Sequence, residues 1–370
     1  MIVLVQFSLM ASILLVPSQG LEPLLKQHGW GVVERTSRLD LVASDLAHTV
    51  GTSTNGLDPE AMGTHLVFAL ARHGILDAQV MPFTIRTQKA PNLNAHLPRL
   101  ISRLKRREPP THYGRATHVS HAGFTTTFLL VHRGALSDHT PIRTAKLGQE
   151  FSITGRLRRG YYRPRLIVHS PKGQFVERVD GRHGRKFGYG FPFSHGRGTY
   201  RIELVADSQY GPVVLLRHAV HVEANAPTLP TLRLRPPVQS LEVRDPAERL
   251  LSRLNAHRVL YRLGPLKVDP RLTAIARSHV LEMNRVNSLS HGSPDTGTLM
   301  TRVKSAGLNP IFVAENLAEA RDERAAFDAF LESPGHARNQ LIRELTHVGV
   351  AAYGRYFAVT MAQLPTRKSK

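Results

Sequence analysis

Apolar positions along the chain change their period three times. Over residues 27–135 the pattern starts helical and ends in a β-like run at 125–131, which predicts an N-terminal α/β segment. Over 138–223 alternation takes over: Phe151/Ile153, Leu166/Val168, Phe191/Phe193, Tyr200/Ile202/Leu204 and Val220/Val222 are separated by Gly-, Pro- and Arg-rich turns. Short strands at that spacing predict a small, Ig-like β-sandwich. Helical period then returns at 246–263, where Leu250, Leu254, His257 and Tyr261 share one face and Gly264-Pro265 stops the helix. Asp269-Pro270 opens a second helix with Leu272, Ile275, Ala276, His279, Val280 and Met283 on its apolar face. His279 there is expected to be a packed histidine. Residues 347–353 and 355–361 predict a terminal hairpin of central strands.

Two further patterns organise these stretches. Pro227, Pro230, Pro236 and Pro237 mark an extended linker over 224–243. Aligning Arg38-Leu39 with Arg271-Leu272 also aligns Ala43 with Ala276, Leu66 with Leu299 and Gly74 with Gly307 at one offset, and Thr117-His118-Val119 echoes Thr346-His347-Val348 in a slightly shifted register. The matches leave two readings, a degenerate copy of the C-terminal domain or a coincidence of helical pattern. In a copy, Asp58 and Pro82 stand where His291 and Glu315 do, so its site is gone.

Composition adds a sign and a compartment. The formal net charge is +21, from 49 Lys+Arg against 28 Asp+Glu. Such an excess predicts attraction to polyanions. Arg156, Arg158, Arg159, Arg163, Arg165, Arg178, Arg182, Arg185 and Lys186 crowd into the sandwich segment, where they form either a solvated face or a binding patch. Residues 1–20 carry an apolar run broken at Pro17-Ser18-Gln19-Gly20, as in a signal peptide, although no Lys or Arg precedes the run. It is shorter than the ~20 residues that a membrane-spanning helix needs. The expected location is therefore secreted, periplasmic or cell-envelope, the expected partner an anionic cell-envelope polymer or lipid, and nucleic acid is not expected. The chain has no cysteine, which excludes disulfides, a thiolate metal site and a cysteine nucleophile.

The C-terminal third carries ordered motifs. Leu254-Asn255-Ala256-His257-Arg258, Gly264-Pro265-Leu266 with Asp269-Pro270-Arg271-Leu272, Leu289-Ser290-His291, Ala314-Glu315-Asn316, Ser333-Pro334-Gly335-His336 and Thr346-His347-Val348-Gly349-Val350 follow one another at compatible spacings. In that order they resemble bacterial members of the CAP/SCP superfamily, which includes cysteine-rich secretory proteins, antigen 5 and plant pathogenesis-related proteins. The resemblance implies an α/β/α sandwich over about 244–363. The fold class expected for the whole chain is then α+β multi-domain: this C-terminal sandwich, preceded by the β-sandwich module and the N-terminal α/β segment, and followed by a basic tail at 364–370.

The resemblance also implies a cleft lined by His291, Glu315 and His336, with Asn316 beside Glu315 and a second acidic position near Glu332. Ala314 replaces the family's usual glycine, and Phe330 stands where many relatives have tryptophan. Ser333-Pro334 reads as an N-cap and first helical residue, placing His336 in a first turn where the helix dipole disfavours an imidazolium. Two neutral imidazoles and a carboxylate can hold Zn²⁺ or another divalent cation, or they can form a hydrogen-bonded polar cluster. No Gly-rich phosphate loop, His-Glu-x-x-His helix or Gly-x-Ser-x-Gly elbow occurs. Two functions stay open: an extracellular binding protein whose cleft holds a metal or small ligand, and a metal-assisted, protease-like hydrolase.

Overall fold

The computed structural model describes residues 25–26, 30–53, 59–89, 109–121, 123–179, 184–228 and 245–365. The expected signal peptide, Asp58, Arg182, most of the proline-rich linker and most of the basic tail lie outside these residues.

In the N-terminal unit, β1 (Glu34–Arg35) leads into helix α1 (Ser37–Thr52), then α2 (Pro59–Arg72), β2 (Val80–Thr87), β3 (His112–Ser120) and β4 (Gly123–Val131). Thr36 caps α1 by accepting from the Leu39 amide, and Leu39, Val42, Ala43, Leu46 and Val50 form the buried stripe of that helix. The sheet order is β1-β3-β4-β2, with β1 parallel to β3 and the other pairs antiparallel. Helix α1 crosses β3 at Gly114, where a Cβ would stand 2.3 Å from the Leu39 carbonyl carbon.

The sandwich comprises β5 (Ala135–Ser137), β6 (Thr144–Ala145), β7 (Glu150–Leu157), β8 (Tyr162–His169), β9 (Phe175–Val179), β10 (Lys186–Pro192), β11 (Gly198–Ser208) and β12 (Gly211–Val222). A β10-β7-β5 sheet faces a β6-β12-β11-β8-β9 sheet across a core that includes Phe151, Phe191, Phe193, Tyr200 and Leu204. The module starts earlier than its alternation signals, because β5 is too short to carry a period. Residues 76–78 of the N-terminal unit lie along the β12 edge, with Ala78 N–H donating to Leu215 O at 3.1 Å and Arg217 N–H to Leu76 O at 2.8 Å. Lengthening the sheet in this way covers an otherwise open edge.

The C-terminal unit runs α3 (Pro246–Leu260), β13 (Lys267–Val268), α4 (Pro270–Val286), α5 (Leu299–Ser305), β14 (Phe312–Glu319), α6 (Glu323–Glu332), α7 (Pro334–Gln340), β15 (His347–Tyr353) and β16 (Tyr356–Gln363). Asp245 caps α3 and Asp269 caps α4. The sheet order is β13-β15-β16-β14. Alternation along its strands separates two cores. Val348, Val350, Phe357, Val359 and Met361 pack with Leu250 and Leu254 of α3 and Phe330 of α6, while Ala351, Tyr356 and Ala358 pack with Ala276, Val280 and Met283 of α4. Helices therefore cover both faces of this sheet.

The N- and C-terminal sheets share strand order and strand directions. Both place a left-handed glycine after the second helix of the comparison, Gly74 at φ 67° and Gly307 at φ 71°. Gly349 lies under Leu272 as Gly114 lies under Leu39, with a Cβ only 2.0 Å from the Leu272 carbonyl carbon. Thr111 Oγ1 bonds His112 Nδ1 at 2.8 Å and the Val131 carbonyl at 3.2 Å; Thr346 Oγ1 bonds His347 Nδ1 at 2.8 Å and the Ala362 carbonyl at 3.3 Å. The counterpart of Thr346-His347 is thus Thr111-His112 and not Thr117-His118, because strand register, invisible in a linear alignment, sets the equivalence. By the same register Pro82, opposite Leu129, occupies in β2 the place that Glu315, opposite Thr360, occupies in β14.

Candidate functional site

Strand β14 separates two of the expected site residues by one peptide. Glu315 shares a face with Val313 and Leu317, toward α4 and α5, whereas Asn316 shares the other with Ala314 and Ala318, toward α6 and α7. Both side chains are buried.

Both Glu315 oxygens are occupied. Arg302 Nη2, from α5, donates to Oε1 at 2.8 Å, and His291 Nδ1 donates to Oε2 at 3.0 Å. Arg302 Nη1 also binds the carbonyls of His291 at 3.0 Å and Gly297 at 3.2 Å, so one guanidinium fixes both the carboxylate and the loop that bears the histidine. Burial opposes the charge of Glu315, but the His291 hydrogen bond and the Arg302 guanidinium outweigh it and hold the carboxyl below the usual range. His279 donates from Nε2 to the Ser290 carbonyl at 2.8 Å, which anchors the same loop and makes it the packed histidine that its apolar face predicts.

On the other side, Asn316 Nδ2 donates to the His336 carbonyl at 2.9 Å and its Oδ1 accepts from Asn339 Nδ2 at 3.1 Å, tying α7 to the sheet. Ser333 caps α7 and its hydroxyl accepts from the His336 amide at 3.4 Å. The His336 ring lies 5.4 Å from the Phe330 ring and 6.3 Å from the His291 ring, centre to centre. Burial first, then His291 and Arg217, push its pKa down to about 3, against a smaller opposing pull from Glu315. His336 is therefore a neutral imidazole at physiological pH.

His291, Glu315, His336 and Asn316 thus converge, while Glu332 stands exposed at the end of α6. A different carboxylate reaches this region from another module: Glu203 of β11, fully buried, accepts from Ser333 Oγ and from the Gly335 amide, each at 3.1 Å. Sequence reasoning missed Arg302 and Glu203. Neither sits in a motif, and Glu203 falls on a strand position whose alternation points to solvent.

The expected metal-ligand set does not fit. Glu315 spends one oxygen on a buried guanidinium and the other on His291, so it orients the imidazole. Two imidazoles on one tetrahedral zinc have ring centres about 5.3 Å apart, less than the separation here. Among the described residues, no three His, Asp or Glu side chains are placed to share an ion. What the arrangement does hold out is His291 Nε2, on the side of the ring away from the nitrogen that Glu315 engages, with the His336 ring 6.3 Å away centre to centre.

Helices on both faces of a four-stranded sheet, with a carboxylate-oriented histidine opposite a second histidine, define a CAP-type domain. The cysteine-rich secretory protein (CAP) family model matches residues 251–358, and these residues form a bacterial CAP/SCP domain. The uncharacterized protein YkwD of Bacillus subtilis (strain 168) is 32% identical over 87 residues, 23% of this chain and 34% of the relative; the match spans about a third of that protein's length. Among solved structures, an extracellular SCP-domain protein from Bacillus anthracis str. Ames is 18% identical, covering 62% of this chain and 67% of its own, with a TM-score of 0.32. A cysteine-rich secretory protein from Staphylococcus aureus subsp. aureus Mu50 is 15% identical, covering 59% and 87%, with a TM-score of 0.30.

Proposed function

We propose that this is an extracellular binding protein: its CAP cleft takes a small polar ligand between His291 and His336, and its basic modules attach it to an anionic cell-envelope polymer or lipid. The observation that carries the cleft reading is the buried Arg302–Glu315–His291 chain, which orients one imidazole and leaves its Nε2 for a ligand. A neutral His336 beside it adds a second ring able to donate or accept a hydrogen bond. The metal-assisted hydrolase receives no such support, since the donor set lacks a third ligand among the described residues. No helix among those residues is long and apolar enough to cross a membrane. We read the N-terminal unit as a second CAP-like copy without the site; the shared sheet order and the paired Thr-His bonds support that reading.

The attachment surface has a specific signature. Register places Lys186 directly opposite Arg156 on the exposed face of the three-stranded sheet, with Arg159 and Arg185 exposed nearby in sequence. Like charges directly opposite each other are unfavourable by themselves, and a polyanion laid across the sheet removes the penalty. Full-length protein is expected to sediment with phosphatidylglycerol vesicles at low salt and to release as the Debye length shrinks to about 3 Å near 1 M salt. Arg156→Ser with Lys186→Ser is expected to weaken the low-salt binding. Retention at high salt, or a double variant that binds like the wild type, would remove this surface from the proposal.

A further inference from the structure

The five-stranded sheet of the sandwich turns its outer face to the CAP domain, and the two surfaces are matched residue by residue. Glu203 has no exposed area, and each of its oxygens is bonded: Oε1 accepts from Arg217 at 3.0–3.1 Å, and Oε2 accepts from the Ser333 hydroxyl and the Gly335 amide. A carboxylate placed in the middle of a sheet face is costly to bury unless it is fully paired. Only the docked arrangement supplies the bonds to Oε2. Arg338 of α7 adds an ion pair with Glu177 of β9 at 2.8 Å.

A second contact lies at the β11–β12 turn. Gly292, next to His291, is so close to Tyr210 that an added Cβ would stand 2.3 Å from the Tyr210 Cβ and 2.5 Å from its Cα. On the turn itself, Gly211 at φ 107° would place a Cβ 3.3 Å from the His291 Cβ. Side chains are missing on both sides where the backbones meet. One contact therefore grips the residues just before His336, and the other grips the loop of His291.

We propose that the β-sandwich is the CAP cleft's own docking partner, a second wall that positions the His291 loop and the His336 helix and covers the approach to both imidazoles until the modules separate. Glu203 acts as a positioning residue that reaches His336 through Ser333 and Gly335, and the Tyr210-Gly211 turn is the cover. The groups that face His336 across this interface are Arg217 and Glu203 from the sandwich, with His291 and Glu315 from its own domain. Docking of this kind makes cleft access a property of two modules joined through residues 229–244. The inference concerns access and positioning, so it stands or falls independently of what the cleft binds.

The test uses the full chain and two variants that attack the interface from opposite sides. Gly292→Ala inserts a methyl group between Gly292 and Tyr210, and Glu203→Ala removes the bonds to Ser333 and Gly335. Carbethoxylation of His291 and His336 near neutral pH, followed by peptide mass mapping, is expected to accelerate roughly tenfold or more in both variants, as for a closed state destabilised by 1–2 kcal/mol or more. Exposed His121 serves as the internal reference. Small-angle scattering should show an expanded particle with unchanged secondary structure by circular dichroism. If Glu203→Ala fails to fold, Gly292→Ala decides alone, because its methyl group meets the sandwich and not the CAP core. Reaction rates equal to wild type for both histidines in Gly292→Ala would overturn the proposal.

Discussion

Acidification from pH 7 to pH 5 is expected to remove about 4 kcal/mol of folding stability through two buried histidines alone, roughly 2 kcal/mol from each. His112 sits in β3 and His218 in β12, and both are nearly inaccessible. Burial is the main cause that lowers His112 to about 4, reinforced by Arg133 and opposed by Glu34. Burial likewise lowers His218 to about 4, with His139 adding to it. The folded rings stay neutral down to about pH 4, whereas in the unfolded chain they take up a proton near pH 6.5. Between those values the unfolded state binds more protons, so stability is fully present above about 6.5, falls through the window, and levels off once the folded rings protonate. Glu315, depressed below the usual carboxylate range, adds a loss in the same direction at lower pH. Urea unfolding at pH 7 and pH 5 reads the difference. Equal stabilities at the two pH values would show that these rings are not held neutral by the fold.

Arg302→Met is expected to destabilise the protein by about 3–5 kcal/mol, the usual cost of leaving one partner of a buried ion pair uncompensated. The Arg302 and Glu315 side chains retain only 4% and 1% of their exposure, so solvent cannot replace the lost guanidinium. Its removal also takes a donor from the carbonyls of His291 and Gly297, the latter keeping only the Ser293 amide. Arg302→Met combined with Glu315→Leu should recover part of the loss, because an apolar pair leaves no buried charge. Chemical denaturation of both single variants, Arg302→Met and Glu315→Leu, and of the double variant gives the coupling. A single variant within 1 kcal/mol of wild type would mean that the carboxylate has another partner or is itself neutral.

How much of this was legible in the sequence depended on how local each cause is. The caps at Asp269 and Ser333 act over three residues, and both stand where the sequence pattern puts them. The convergence of His291, Glu315 and His336 is long-range, and it was legible only because ordered motifs carried it. Arg302 has no motif, and a lone arginine on a seven-residue helix looks like any solvated cation. Glu203 was hidden by its own alternation: the strand does point it outward, but outward is into another module. The acidic position sought near Glu332 is an exposed side chain, and the buried carboxylate beside α7 comes from 130 residues upstream. Interfaces between modules leave no period in a sequence, because each face obeys the rules of its own module.

The cleft's chemistry turns on His291 presenting a bare Nε2 while its Nδ1 proton is held by Glu315, and long-range ¹H–¹⁵N spectra of the full chain read that tautomer directly. In its neutral form His291 is expected to show a protonated Nδ1 and an unprotonated Nε2, and Glu315→Leu is expected to lose this preference. A His291 ring that carries its proton on Nε2 in the wild type would contradict the site as built here.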